Sequence, residues 1–325
     1  MKAITLVLAA VLVVAGCSAA PGPTGTGAPA AVEPLPAGAK EVTSLPEPSV
    51  NESCQPTKSY RPPAGPPPAP GDFPGGSLLE TIYKRGRLVV GVDQNTYRFA
   101  YRDSKTGEIE GFALDIAHQL AKAILGDENK IQLRVLTSAQ RVPAVVKGDV
   151  DLVVHSMTAN CERWEDVDFS TIFYEARQRV LVGSDVEYPG KEWLAGKKVC
   201  ATEKSTSLAR IVNLDVDPKP VGMQVSGWTD CLVMLQQHQV DAVSTDDTIL
   251  AGLAAQDPSV KVAPGSLAEE PYGIAMPKNQ TEFVRFVNSV LEQIKSDGRW
   301  TAYYNKWLEP LLQAPATPPV AEYRD

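Results

Sequence analysis

Several things are scarce in this chain, and each scarcity narrows the reading. No apolar run approaches the roughly 18 residues that a membrane-crossing helix needs. Histidine occurs three times in 325 residues, as His118, His155 and His238. None has a partner at metal-ligand spacing, and no Ser/His/Asp arrangement is suggested. The CxxC pairs typical of zinc sites are missing. Basic residues are outnumbered, 31 Lys and Arg against 39 Asp and Glu, for a net charge of −8, and no basic stripe is visible. Nucleic-acid binding, a metal centre, a bound cofactor and triad chemistry are therefore not expected. What remains is ordinary: 43% hydrophobic and 22% charged residues suit a globular chain, and the length allows about two domains.

The N-terminus reads as a signal segment. Lys2 is a minimal charged region, Ile4 to Val14 is apolar, and Val14-Ala15-Gly16-Cys17 is a small-residue cleavage site ending in cysteine. It resembles the bacterial lipobox, which implies a lipid on Cys17 and an anchor on the outer face of the cell membrane. Residues 18–76 hold 15 of the chain's 27 prolines and read as a proline-rich spacer in extended polyproline conformation. The tail, 310–325, is also proline-rich and is expected outside the core. Beyond Cys17 stand Cys54, Cys161, Cys200 and Cys231, an even number in an exported chain, which suggests two disulfides with three connectivities open. Cys200–Cys231 is favoured because each lies at an element end within one lobe. Cys54–Cys161 then follows by elimination.

From Ser77 onward, strands and helices alternate. Arg87 to Val92 reads as a strand and Phe112 to Leu125 as an amphipathic helix ended by Gly126. Ile131 to Leu136 and Val150 to Val154 read as strands, with a helix from Ala139 to Lys147 capped by Ser138. Arg179 to Val182 reads as another strand, and from there the pattern restarts. Val199 to Thr202, Val221 to Val225, Val240 to Ser244 and Tyr272 to Met276 read as strands. Thr206 to Val212, Trp228 to Gln237, Asp246 to Ala255 and Thr281 to Ser296 read as helices. This order implies an α/β fold with parallel pairing. An internal echo, Gly148-Asp149-Val150-Asp151 against His238-Gln239-Val240-Asp241, points to two similar lobes joined by a hinge. The first lobe is expected at 77–184 plus 269–309 and the second at 185–268, with crossings near Val182–Asp185 and Leu267–Tyr272. Ligands of open α/β sheets bind beyond the carboxyl ends of strands, so the cleft between lobes is the expected site.

The stretch His155 to Tyr174 carries the clearest chemistry. Arg163 follows a strand end beside Ser156 and Thr158, and a guanidinium fork flanked by hydroxyls suits a small carboxylate. Gly111 to Ala117 resembles a G-F-D-x-D-hydrophobic-A segment, with Ala113 replacing the first aspartate. Met157 to Ser170 resembles T-x-T-x-x-R…D-F-S, Asp241-Ala242-Val243 with Asp246 resembles D-A-V-x-x-D, and Asp297-Gly298 to Trp307 resembles D-G-T…K-W. Together these motifs, over about Leu79 to Leu308, resemble the polar amino-acid solute-binding proteins that serve ABC importers, with the type II periplasmic-binding-protein fold. The cysteines, the proline spacer and the run Val240 to Leu253 resemble in particular actinobacterial glutamine/glutamate-binding lipoproteins of the GlnH type.

That resemblance implies roles. Arg163 would clamp the ligand α-carboxylate, assisted by Thr158 and by backbone amides near Ser205 and Thr206, with Ser156 and Lys204 beside them. Asp246 would take the α-ammonium, and Phe99 would wall the cleft. Ser138 to Pro143 resembles the N-R-I-P segment of acidic amino-acid binders, so Arg141 would meet a side-chain carboxylate. Physics agrees, since a buried guanidinium facing a neutral amide stays unpaired at a cost. Glutamate or aspartate is the favoured ligand, with asparagine or glutamine as further candidates. Closing around it by hinge motion, the protein would then dock on a membrane permease or a membrane sensor. An enzymatic alternative, a dehydratase on the same fold, lacks an uncommitted acid or base.

Overall fold

The computed structural model describes residues 34–46 and 53–324. The signal segment and Cys17 lie outside the described residues. Two sheets organise the rest. The first has the strand order Ile131–Val135, Leu88–Val92, Leu152–Val153, Ala275–Pro277, Val167–Phe169. Its first three strands are parallel, as a strand–helix–strand chain requires, and Ala275–Pro277 returns antiparallel. The second runs Lys40–Val42, Val221–Val225, Lys198–Thr202, Ala242–Asp246, Tyr174–Gly183, Val260–Val262, with Ala268–Tyr272 also on Tyr174–Gly183. Its central strands are parallel too.

Three helices match their sequence patterns at both ends: Phe112–Leu125, Thr206–Val212 and Thr281–Ser296. Phe112–Leu125 stops at Gly126, whose φ of 74° is a left-handed cap that glycine adopts without strain. Its inner face, with Leu114, Ala117, Leu120 and Ile124, is sealed against the first sheet. The echo has a common cause. Asp151 accepts the Val89 amide at 2.7 Å and Asp241 the Lys198 amide at 2.8 Å. In each lobe, one aspartate thus ties the incoming strand to the start of its parallel neighbour.

Several expectations are corrected. The strand expected at Arg179 to Val182 is Tyr174–Gly183. Its residues Gln178 to Leu181 pair with Ala242–Asp246 in the second sheet, so the chain crosses between lobes before Gln178, earlier than Val182. The strand expected at Tyr272 to Met276 is two strands broken at Gly273. A Cβ there would stand 2.9 Å from the Phe169 ring, so glycine lets the backbone pass and switch sheets. Thr137, not Ser138, caps the turn before Arg141, through the reciprocal bond from its amide to Gln140 Oε1 at 2.9 Å. After Asp93, a small antiparallel sheet forms from Asn95–Thr96, Ala100–Arg102 and Ile109–Glu110.

The proline-rich segments depart most from expectation. Lys40–Val42 adds an edge strand to the second sheet. Lys58–Ser59 pairs in parallel with Glu322–Tyr323 of the tail, so the two segments expected to be free form a ribbon. Ser59 is fully buried and donates to Phe169 O at 2.6 Å. Phe73 packs edge-on against Phe286, centroids 5.6 Å apart. Polyproline composition leaves the backbone donors few, but a handful of aromatic and hydroxyl side chains suffices to dock it. Both disulfides are present, Cys54–Cys161 and Cys200–Cys231.

Candidate functional site

Arg163 lies in the short helix Cys161–Asp166, whose N-cap Asn160 accepts the Arg163 amide at 2.9 Å. That cap fixes the helix start immediately after Thr158, so the guanidinium folds back over the strand end. It donates to Thr158 O at 2.7 Å and, across the cleft, to Lys204 O at 3.2 Å. Lys204, at φ 58°, thus contributes its carbonyl, while its side chain is exposed. Arg141 opens the helix Arg141–Val146 and is almost completely buried. Its guanidinium donates to the carbonyls of Ser138 and Ser156.

Asp246 ends the strand Ala242–Asp246 and starts the helix Asp247–Ala254. It is buried, and one carboxylate oxygen accepts from Tyr272 Oη. The other, Oδ1, finds no hydrogen-bond donor among the described residues. Burial, and then the nearby Glu270 carboxylate, push the Asp246 pKa well above the usual carboxylate range. Burial and the neighbouring Arg163 push Arg141 down to about 9, and burial also lowers Arg163, opposed by the attraction of Glu270. The charged groups thus sense one another across one closed centre.

The remaining expected residues fall in different places. Thr158 and Thr206 face each other across the lobes, hydroxyl oxygens 3.5 Å apart. Ser205 caps the helix Thr206–Val212 by accepting Leu208 N at 3.0 Å, and its own amide bonds to Thr202 O at 3.2 Å. The Ser205 amide is therefore engaged, and the first-turn amides of Thr206 and Ser207 have no intrahelical acceptor among the described residues. The Ser156 hydroxyl is held by His155 Nδ1 at 3.2 Å. His155 Nε2 lies 3.2 Å from Leu136 O. A carbonyl only accepts, so Nε2 carries the proton and Nδ1 accepts from Ser156. Phe99 does not wall the cleft. It is wholly buried in an aromatic cluster, edge-on to Tyr272 at 5.7 Å, where it backs the tyrosine that holds Asp246.

Two residues escaped the sequence reading, Glu270 and Tyr272. Both lie on the hinge strand Ala268–Tyr272, two apart and so on one face. Glu270 is 1% exposed. Its Oε2 accepts from Thr158 Oγ1 and from Thr206 Oγ1, the latter at 2.9 Å. The signal was an acidic residue at the buried phase of a strand ending in tyrosine.

Arg163 and Arg141 thus share one electrostatically coupled centre with Asp246 and Glu270. The chain belongs to the bacterial extracellular solute-binding proteins, family 3, whose model matches residues 88–310. The family is named for solute binding, and the dehydratase alternative finds no support among the relatives, which are named as binding proteins. The chain is 37% identical to the ABC transporter glutamine-binding protein GlnH of Bacillus subtilis over 71% of its own length and 84% of that protein. It is 28% identical to the glutamate/aspartate import solute-binding protein of Salmonella typhimurium over 72% and 80%. Among solved structures it resembles the solute receptors for L-cysteine of Neisseria gonorrhoeae, with TM-score 0.68 and 27% identity over 72% of this chain and 94% of that one.

Proposed function

We propose that this is a lipid-anchored extracytoplasmic binding protein for acidic amino acids, glutamate or aspartate before asparagine or glutamine, that hands its ligand to a membrane ABC permease. The observation that carries the choice of ligand is Arg141. Its guanidinium is buried, is bonded only to backbone carbonyls, and has no carboxylate within ion-pair range among the described residues. A ligand side-chain carboxylate would compensate that charge, and a carboxamide would not. In this reading Arg163 and the Thr206 amide hold the α-carboxylate, and Asp246 holds the α-ammonium. The relatives support the class of ligand, since one is named for glutamine and another for glutamate and aspartate. A membrane sensor in place of a permease would use the same closure. A neighbouring permease gene or sensor gene separates the two.

Thermal-shift measurement across the twenty amino acids tests the specificity. Stabilisation by glutamate and aspartate alone is expected, and stabilisation by glutamine or arginine alone refutes the role of Arg141. Arg163→Ala is expected to abolish binding. Unchanged glutamate affinity of that variant in calorimetry would sink the assignment of the carboxylate clamp.

A further inference from the structure

We propose that Glu270 is a second anion of the ammonium subsite, so that the ligand's α-ammonium is held between two buried carboxylates, Asp246 and Glu270. This rests on the zwitterion reading above and deepens it. Four observations carry it. Glu270 reaches the charged centre from the hinge strand Ala268–Tyr272, not from either lobe's strand ends. Its Oε2 is saturated by the Thr158 and Thr206 hydroxyls. Its Oε1, by contrast, is buried and has no hydrogen-bond donor among the described residues. Its ion-pair partner Arg210 Nη2 stands 3.7 Å away and is 42% exposed, with its Nε bonded to Gln178 Oε1 at 3.1 Å, while Arg163 attracts Glu270 without an ion-pair contact among the described residues.

Asp246 presents the matching defect. Its Oδ2 accepts from Tyr272, and its Oδ1 has no donor among the described residues. Tyr272, which holds Asp246, and Glu270 share one strand face, and the Glu270 carboxylate lies near enough to Asp246 to act on it electrostatically. Each therefore keeps one buried, unsatisfied oxygen. Such an oxygen costs about 1–3 kcal/mol in general and more when charged, so the pair is built for a cation. A primary ammonium carries three donors, enough for both oxygens. The hydroxyls of Thr158 and Thr206 give their protons to Glu270, so towards the cleft they present lone pairs, which also suit a donor.

The test separates recognition of the ammonium from mere support of the site. Glu270→Gln keeps the shape and the hydroxyl contact and removes the charge. Calorimetry compares L-glutamate with glutarate, the same diacid without its ammonium, and L-glutamine with 4-carbamoylbutanoate as the corresponding pair. Expected is a loss of about 30-fold or more for the amino acids, with the des-amino analogues unchanged or bound more tightly by the variant. Equal losses for an amino acid and its analogue, or no loss for either, would overturn the assignment. Melting temperatures of the unliganded variant and native protein control for folding. Native protein that prefers glutamine to glutamate would defeat the acidic-ligand reading alone, since the second pair still interrogates Glu270.

Discussion

At the scale of single residues, the centre couples buried charge to pH. Burial pushes the His155 pKa down to about 4 from 6.5. The folded state thus binds fewer protons than the unfolded state between those values, and stability rises with pH across that window. The contribution is complete above about pH 6.5 and is lost as pH falls towards 4, on the order of 3 kcal/mol in total. His155→Asn should flatten this dependence. Urea unfolding of native and variant protein at pH 7 and pH 4.5 measures it, and parallel losses in both would refute it. Asp246→Asn is expected to weaken amino-acid binding by 100-fold or more, because in the proposed function it removes the buried partner of the ligand ammonium. Equilibrium dialysis with glutamate measures that loss. Arg163 and Asp246 could be named from the sequence because Asp246 ends a strand-like run and Arg163 follows closely spaced hydroxyl residues. Glu270 was not, because a glutamate in a segment reading Ala268-Glu269-Glu270-Pro271-Tyr272 looks like a solvated turn. Only strand pairing, Glu270 against Ala176, reveals which face it takes.

Between elements, closure depends on how near the lobes approach. Gly252 lies in the second-lobe helix Asp247–Ala254. A Cβ built on it would stand 3.2 Å from the Tyr97 carbonyl oxygen and Cβ in the first lobe. Gly252→Val should therefore hold the lobes apart and weaken ligand binding, about tenfold. Inside a helix, the loss of glycine is itself favourable by a few tenths of a kcal/mol, so the unliganded variant should melt no lower than native protein. Calorimetry with a melting curve checks both. A variant that binds normally would show that Tyr97 and Gly252 do not limit closure. Helices were legible where a left-handed glycine or a side-chain cap marks the end, as at Gly126 and Ser205. The hinge was less so. In Tyr174–Gly183, Glu175 and Arg177 point outward while Ala176 and Gln178 are buried, so a two-strand hinge ribbon carries too few apolar residues for its pattern to announce a strand.

At the scale of the whole molecule, composition misled where tertiary contact decides. The prolines of residues 18–76 argued for a free spacer, yet the described part of that segment is docked to both lobes. Lys40–Val42 pairs with the second sheet, and Cys54 is bonded to Cys161 at the N-terminus of the helix that carries Arg163. Trp164 Nε1 donates to Pro56 O at 2.9 Å beside that bridge. The segment therefore braces the helix that carries Arg163. The Cys54–Cys161 bridge closes a loop of 107 residues, for which chain entropy gives about 4–5 kcal/mol of stabilisation. Cys200–Cys231 closes 31, for about 3–4 kcal/mol. The double variant Cys54→Ser/Cys161→Ser should thus lose more in melting temperature than Cys200→Ser/Cys231→Ser, provided that cavity costs are similar. It should also weaken ligand binding, because its helix loses the anchor behind Arg163. The Cys200–Cys231 variant, remote from the clamp, should bind as the native protein does when measured below its melting temperature. If both double variants lose affinity alike, the brace acts on overall stability alone and has no separate hold on the site.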